Sequence, residues 1–308
     1  MEINIIRCVL ILLVILIHLT PFKECYPDVQ NAVLAFVVPL FLFITGYLFN
    51  VNKTWKQYAV YLRSLLIIYV IFESAFIMLS YLFQVKDGIN ELSVYMILDK
   101  LILNPIGPYW YLHTMIVCGS IYYAVHRVFC HFGIDCAISI SVLISVPLSY
   151  WSPLLGIMAP LAYFAGVIFR KYFNGHTFKG SFVAILIAMV TLFYGIVCNP
   201  GYATQLSYFS ILLSVCVMEF MIWCAKRLPS KVSPVLNYIG ANTLPIYLFH
   251  PMFTLSSKLF FGSFIISGNI ISFSILTIAI ATIGSLMIGH TLDESGVSML
   301  LFKKKMMR

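Results

Sequence analysis

The sequence predicts an all-α integral membrane protein, a bundle of about ten transmembrane helices with the N- and C-termini cytoplasmic. Three observations predict it. Of 308 residues, 61% are hydrophobic and 10% charged, against roughly 45 to 50% and about 25% in soluble domains. Apolar runs of about 20 residues, the length a helix needs to pair all its backbone groups across a bilayer, fill most of the chain. Lysine and arginine collect at alternate inter-span segments.

The runs place spans at 3–20, 30–49, 65–83, 110–129, 136–151, 154–169, 182–198, 205–225, 236–256 and 264–289. Turn formers punctuate them: Pro21 and Pro27, Asn104-Pro105 with Gly107-Pro108, Ser152-Pro153, Asn174-Gly175, Asn199-Pro200-Gly201, and Pro229 with Pro234. The fifth and sixth runs are short enough to form one broken hairpin. Only 84–109 is a long connection. The first run carries Glu2 and Arg7 and lacks a small-x-small cleavage pattern, so it reads as a retained helix and not a signal peptide.

With the N-terminus inside, Arg7, Lys53, Lys56, Arg63, Arg127, Arg170, Lys171, Lys179, Lys226, Arg227, Lys231, Lys303, Lys304, Lys305 and Arg308 face the cytoplasm, and only Lys23, Lys86, Lys100 and Lys258 face outward. This bias fixes the orientation and favours an even number of spans. The net charge of +8 is therefore topological, and its dispersal over many loops speaks against nucleic-acid binding. The eight cysteines lack paired spacing for a metal or redox site and read as small buried hydrophobes.

Ionisable groups inside spans are costly and mark candidate sites. Here they are Arg7 and His18 in the first span, Glu73 in the third, His113 in the fourth, Glu219 in the eighth, His250 in the ninth and His290 at the end of the tenth. Arg7 and His18 share one helix face, about 16 Å apart along the axis. Snorkelling to opposite headgroup layers explains that spacing equally well. His250, in Tyr247-Leu248-Phe249-His250-Pro251, has the side chain best suited to proton transfer, or is a packed core histidine. Trp110 and Tyr111 open the fourth span at the outer interface, where an aromatic belt explains them without any function. On the cytoplasmic side, Phe43, Thr45 and Gly46 end the second span, and Lys53, Lys56 and Arg63 precede the third. The cations suit a phosphorylated ligand or plain positive-inside anchoring, and the small residues suit a close helix contact.

Taken together, these segments resemble the membrane-bound acyltransferase-3 family, glycan O-acyltransferases that use acyl-CoA. Arg7 and His18 match its arginine and histidine separated by ten residues. Phe41 to Tyr47 is similar to its aromatic segment ending in small residue, Gly and Tyr, and Arg63 to its basic residue before the third helix. Pro108 to Leu112 resembles its Pro-x-Trp-Tyr-Leu opening, and Tyr247 to His250 its Tyr-Leu-x-His segment. The chain departs from the pattern at Asn4, where an acidic residue is usual, and at Thr45, where serine is usual.

The resemblance implies an O-acetyltransferase of the bacterial cytoplasmic (inner) membrane. It would move an acyl group, most commonly from acetyl-CoA and with no metal, to an extracytoplasmic glycan such as O-antigen, capsule or exopolysaccharide. His18 would be the general base and Arg7 would lie on the donor path. Arg63, Lys53, Phe43, Thr45 and Gly46 would hold the cofactor, and Trp110, Tyr111, His113, Tyr247 and His250 would shape the acceptor pocket. Residues 1–308 then form a single acyltransferase-3-like transmembrane domain, and the end at Arg308 leaves no appended soluble domain of the kind some relatives carry. The rival expectation is a polytopic transporter or flippase of a glycan or lipid-linked sugar, against which stands the lack of repeated halves with matching broken helices.

Overall fold

The computed structural model describes residues 1–83, 88–91, 93–151, 155, 159–173, 182–198, 208–261 and 269–307. Ser152-Pro153, Asn174-Gly175, Asn199-Pro200-Gly201, Lys86, Lys179, Arg308, the side chain of Lys258 and the opening residues of three predicted spans lie outside them. Every regular element among the described residues is helical: α1 Glu2–Ile17, α2 Thr20–Cys25, α3 Pro27–Leu48, α4 Trp55–Phe83, α5 Val94–Ile102, α6 Trp110–Phe129, α7 Ile134–Trp151, α8 Ala159–Phe173, α9 Phe182–Cys198, α10 Tyr208–Ala225, α11 Ser233–Ala241, α12 Thr243–Phe261, α13 Ile270–Glu294 and α14 Val297–Phe302.

Three of these helices, α3, α4 and α13, are long and apolar enough by themselves to cross a membrane. Their exposed surfaces say the same. Ile271, Ile275, Ile283 and Met287 on α13, and Val183, Met189 and Val190 on α9, are each more than half exposed. In water such faces would aggregate. Against acyl chains they are the solvated surface, and the chain is a membrane protein.

Chain contacts divide the protein into two compact units. The first comprises Met1–Phe41, His176–Leu300 and Lys304–Arg308, and the second Leu42–Gly175 and Leu301–Lys303. In the first unit α1 packs against α10, α11, α12 and α13. Its buried residues, Ile5, Ile6, Cys8, Leu10, Ile11, Ile15 and Ile17, lie on all sides of the helix, the pattern of a central element. Ile11, Ile15, Ile246 and Ala281 form the packed layer between α1, α12 and α13. Lipid is as apolar as these side chains, so close packing and interhelical hydrogen bonds hold this unit, with little hydrophobic drive between helices.

The second unit has an aromatic core of Phe49, Tyr58, Tyr122, Tyr123, Tyr163 and Phe164. Here α3 meets α8 backbone to backbone. A Cβ on Gly46 would stand 1.9 Å from the Tyr163 carbonyl oxygen, and one on Gly166 1.9 Å from that of Phe43. This contact accounts for the glycine in Thr45-Gly46-Tyr47 by packing, the small-residue alternative raised by the sequence.

The structure differs from the sequence expectation at four places. The third predicted span starts early, at Trp55, because the polar residues Lys56, Gln57 and Arg63 continue the helix beyond the apolar run, so Lys56 and Arg63 lie within α4 and not before it. The ninth span is two helices, because Asn242 leaves the helical region (φ −107°, ψ 33°) and its side-chain amide donates to the Tyr238 carbonyl at 2.9 Å. Capping by the short asparagine amide ends α11 where apolar periodicity alone continues. The first helix stops at Ile17, so His18 is its C-cap, and Leu19 turns extended ahead of Thr20-Pro21. The long connection at 84–109 contains α5, started by the Ser93 hydroxyl accepting from the Met96 N–H at 3.2 Å.

Candidate active site

In the first unit, α1 carries two polar positions with an apolar layer between them. At one end, the Arg7 guanidinium donates to the Thr243 hydroxyl at 2.5 Å. Thr243 is the first residue of α12, so the break at Asn242 delivers it to that position. Asn4, one turn before Arg7 on the same face, donates instead to the Asn237 side chain on α11 at 3.1 Å. The acid expected at position 4 is thus absent from a site where its replacement pairs elsewhere and a threonine holds the arginine.

At the other end, the rings of His18 and His250 face each other with centroids 5.5 Å apart. His18 is exposed, whereas His250 is 0% exposed. The Nδ1 of His250 lies 3.1 Å from the Ile246 carbonyl one turn back. A carbonyl only accepts, so Nδ1 carries the proton and Nε2 is the bare nitrogen. That Nε2 is buried and has no hydrogen-bond partner among the described residues. Pro251 follows and has no N–H to donate to the Tyr247 carbonyl, and the His250 imidazole is hydrogen-bonded to the Tyr247 backbone as well. Tyr247 itself is half-buried with its ring 6.3 Å from that of His250.

The pairings Arg7 with Thr243 and His18 with His250 make α1 and α12 run in the same direction. Between these pairs α1 rises about 16 Å and α12 about 10 Å, and the long arginine side chain spans the difference.

In the second unit the connection between α3 and α4 is gripped by cations. Arg170 on α8 donates to the carbonyls of Phe49 (2.7 Å) and Tyr47 (3.3 Å), which α3 leaves open at its C-terminal end. Arg127 on α6 donates to the Lys53 carbonyl and, at 3.1 Å, to the Tyr123 hydroxyl, which itself donates to the same carbonyl at 3.0 Å. The Lys53 amine lies 4.6 Å from the Tyr61 ring centroid and 5.5 Å from that of Phe49. Burial first, and then the neighbouring Arg170 charge, hold Lys53 below the usual lysine range. Three cations thus converge on one short loop, held by carbonyls and aromatic rings.

Other predicted residues fall as follows. Arg63 is exposed on α4, and Phe43 is buried with its ring 5.5 Å from that of Phe169. Thr45 and Tyr111, assigned by sequence to cofactor and acceptor respectively, are hydrogen-bonded to each other through their hydroxyls. The end of α3 therefore meets the first turn of α6, and this pair does not divide between two membrane faces. Trp110 is half-buried at the start of α6, and His113 is buried with its ring 5.5 Å from that of Tyr69. Trp110, Tyr111 and His113 belong to the second unit, Tyr247 and His250 to the first.

Sequence reasoning passed over Thr243, Arg127 and Arg170. Gly240 and Asn242 were the available signal for a helix end that frees Thr243. Arg127 and Arg170 were counted only as topological charges, and their position in the last turns of α6 and α8 gave no hint of the loop they hold.

Fold and site define a multi-helix membrane protein with a facing imidazole pair and an anchored arginine on the central helix of its first unit. The family model for the acyltransferase-3 group, described as "Acyltransferase domain", matches residues 2–290, and the chain belongs to that family. It is an acyltransferase. No curated protein and no solved structure matches the chain.

Proposed function

We propose that this acyltransferase moves an acetyl group from cytoplasmic acetyl-CoA to a hydroxyl of an extracytoplasmic glycan, such as O-antigen, capsule or exopolysaccharide. It works in the bacterial inner membrane with both termini inside. The observation that carries the reading is the His18 and His250 pair: one accessible imidazole beside one buried imidazole whose tautomer is fixed.

His18 acts as general base. It removes the proton of the acceptor hydroxyl as that oxygen bonds to the thioester carbonyl carbon. The tetrahedral adduct then expels the CoA sulfur, and the proton held by His18 neutralises the leaving thiolate. The bare Nε2 of His250 accepts a hydrogen bond from the acceptor and orients it. Donor phosphates are assigned to Lys53 and Arg63, joined by Arg127 and Arg170. Their chemistry suits phosphates because arginine forks match phosphate oxygens, and a half-buried amine pushed below its usual range is restored by an anion. Trp110, with its indole partly accessible, supplies a stacking face for a sugar ring.

The test is the mass of the surface glycan in cells carrying the parent chain, His18→Ala, or neither. The parent adds one acetyl unit per modified sugar. His18→Ala, present in the membrane at the parent level, loses at least about 100-fold in transfer rate. Full transfer by that variant removes His18 from the chemistry, and an unchanged glycan with the parent chain removes the acceptor assignment.

A further inference from the structure

Glu73 is the one intramembrane carboxylate of the third predicted span, and none of the roles above uses it. It is 0% exposed on α4. Its Oε1 accepts the Ile106 backbone N–H at 2.7 Å, and Oε2 has no partner among the described residues. Ile106 precedes the 3-10 turn Gly107–Tyr109, which leads directly into Trp110.

The surrounding contacts all act on this same segment. One turn before Glu73, the Tyr69 hydroxyl donates to the Leu101 carbonyl at 2.8 Å. On the flanking positions, the Phe72 and Phe76 rings stand 6.1 and 5.7 Å from that of Tyr109. Gly107 adopts φ +62°, and a Cβ there would fall 2.3 Å from the Phe76 ring. The turn is therefore shaped to lie flat on α4. Ile106 is buried in consequence, and its N–H, turned away from water, needs an acceptor.

We infer that Glu73 is a positioning residue: through Oε1 it latches residues 101–109 to α4 and so sets where Trp110 and Tyr111 begin α6. The latch requires an acceptor oxygen at the reach of a glutamate side chain. It does not require charge, since Oε2 has no hydrogen-bond partner among the described residues. Its consequence for acceptor handling rests on the function proposed above; the latch itself does not.

The experiment compares Glu73→Gln, Glu73→Asp and Glu73→Ala, each carrying Ile106→Cys as a reporter, in lipid nanodiscs. Labelling of position 106 by a water-soluble maleimide is followed by mass spectrometry. The Gln variant, which keeps the oxygen and loses the charge, labels as slowly as Glu73. The Asp variant keeps the charge but falls one methylene short, and labels several-fold to about ten-fold faster, the range given by loss of one hydrogen bond. Ala matches or exceeds it. Slow labelling in both Asp and Ala overturns the latch, as does fast labelling in Gln with slow labelling in Asp. Should the Ala variant fail to reach the membrane, the Gln and Asp pair still decides. In cells, glycan modification follows the labelling order, Gln retaining it and Asp reducing it. If labelling behaves as stated while even the Glu73 parent leaves the glycan unchanged, the latch stands and the proposed acceptor falls.

Discussion

Helix α1, central in the first unit, and the loop between α3 and α4 in the second both hold charged or titratable groups within a largely apolar protein, and they do so in opposite ways. On α1 the polar groups are few and far apart. Arg7 is held by Thr243, and His18 faces a histidine whose second nitrogen is unpaired among the described residues, with Ile11 and Ile15 between them. At the loop, two arginines and a tyrosine are tied into a dense set of bonds to the carbonyls of Tyr47, Phe49 and Lys53, and the Lys53 amine donates to the Asn50 carbonyl. An unpaired buried nitrogen is costly to a folded protein unless a ligand completes it. A loop rigidified by arginines, by contrast, presents its charges without further ordering. The first arrangement suits a step in which a proton moves, the second a site that grips an anion.

Removing the unpaired nitrogen tests the contrast most strongly. His250→Phe keeps an aromatic ring of similar size and loses Nε2. Acyl transfer then falls roughly 10- to 100-fold, the worth of a hydrogen bond to a group that becomes charged, while binding of acetyl-CoA measured by calorimetry is unchanged. A loss of donor binding in this variant would move His250 to the donor site and erase the division of labour.

A smaller effect is expected at the loop. Arg170→Met frees the carbonyls of Tyr47 and Phe49 and weakens acetyl-CoA binding by about ten-fold, with the rate at saturating donor retained. The loop also predicts a pH dependence with a definite sign. Lys53 lies below the usual lysine range, and only its protonated form attracts phosphate, so the donor KM rises as pH climbs through that lowered range. Lys53→Arg keeps its charge and flattens the rise. An identical alkaline profile in both proteins would show that this amine does not meet the phosphates.

The smallest expected change is at position 4. Asn4→Asp restores the acid usual in the family, but the side chain here faces Asn237 and Arg7 already has Thr243. Transfer rates should therefore stay within about three-fold of the parent, the scale of a weak exchange of partners. A large gain would mean that the carboxylate reorients Arg7 and that Thr243 is the lesser anchor.

Much of this protein follows from local chemistry. Apolar runs of bilayer length, Pro and Gly between them, and an ionisable residue inside a run each depend on a short stretch of chain. Helices accordingly occupy most of the described length of each predicted span, and Arg7, His18 and His250 stood out before any contact was known. The breaks at Asn242 and His18 were harder, because a single capping residue ends a helix whose apolar pattern continues past it. Partners were not legible at all. Thr243 lies 236 residues from Arg7, and Lys53 meets Arg127 and Arg170 from two other helices. Nothing local distinguishes a topological arginine from one that ties a loop, or a lipid-facing carboxylate from Glu73 with Ile106 under it. The sequence by itself determined that the chain is a helical membrane protein and which side chains are too costly to be there without purpose, since desolvation is a property of each residue. Only the tertiary structure decided which of them are paired, which nitrogen is left bare and which glycine lets two backbones touch, since those depend on residues brought together across the fold.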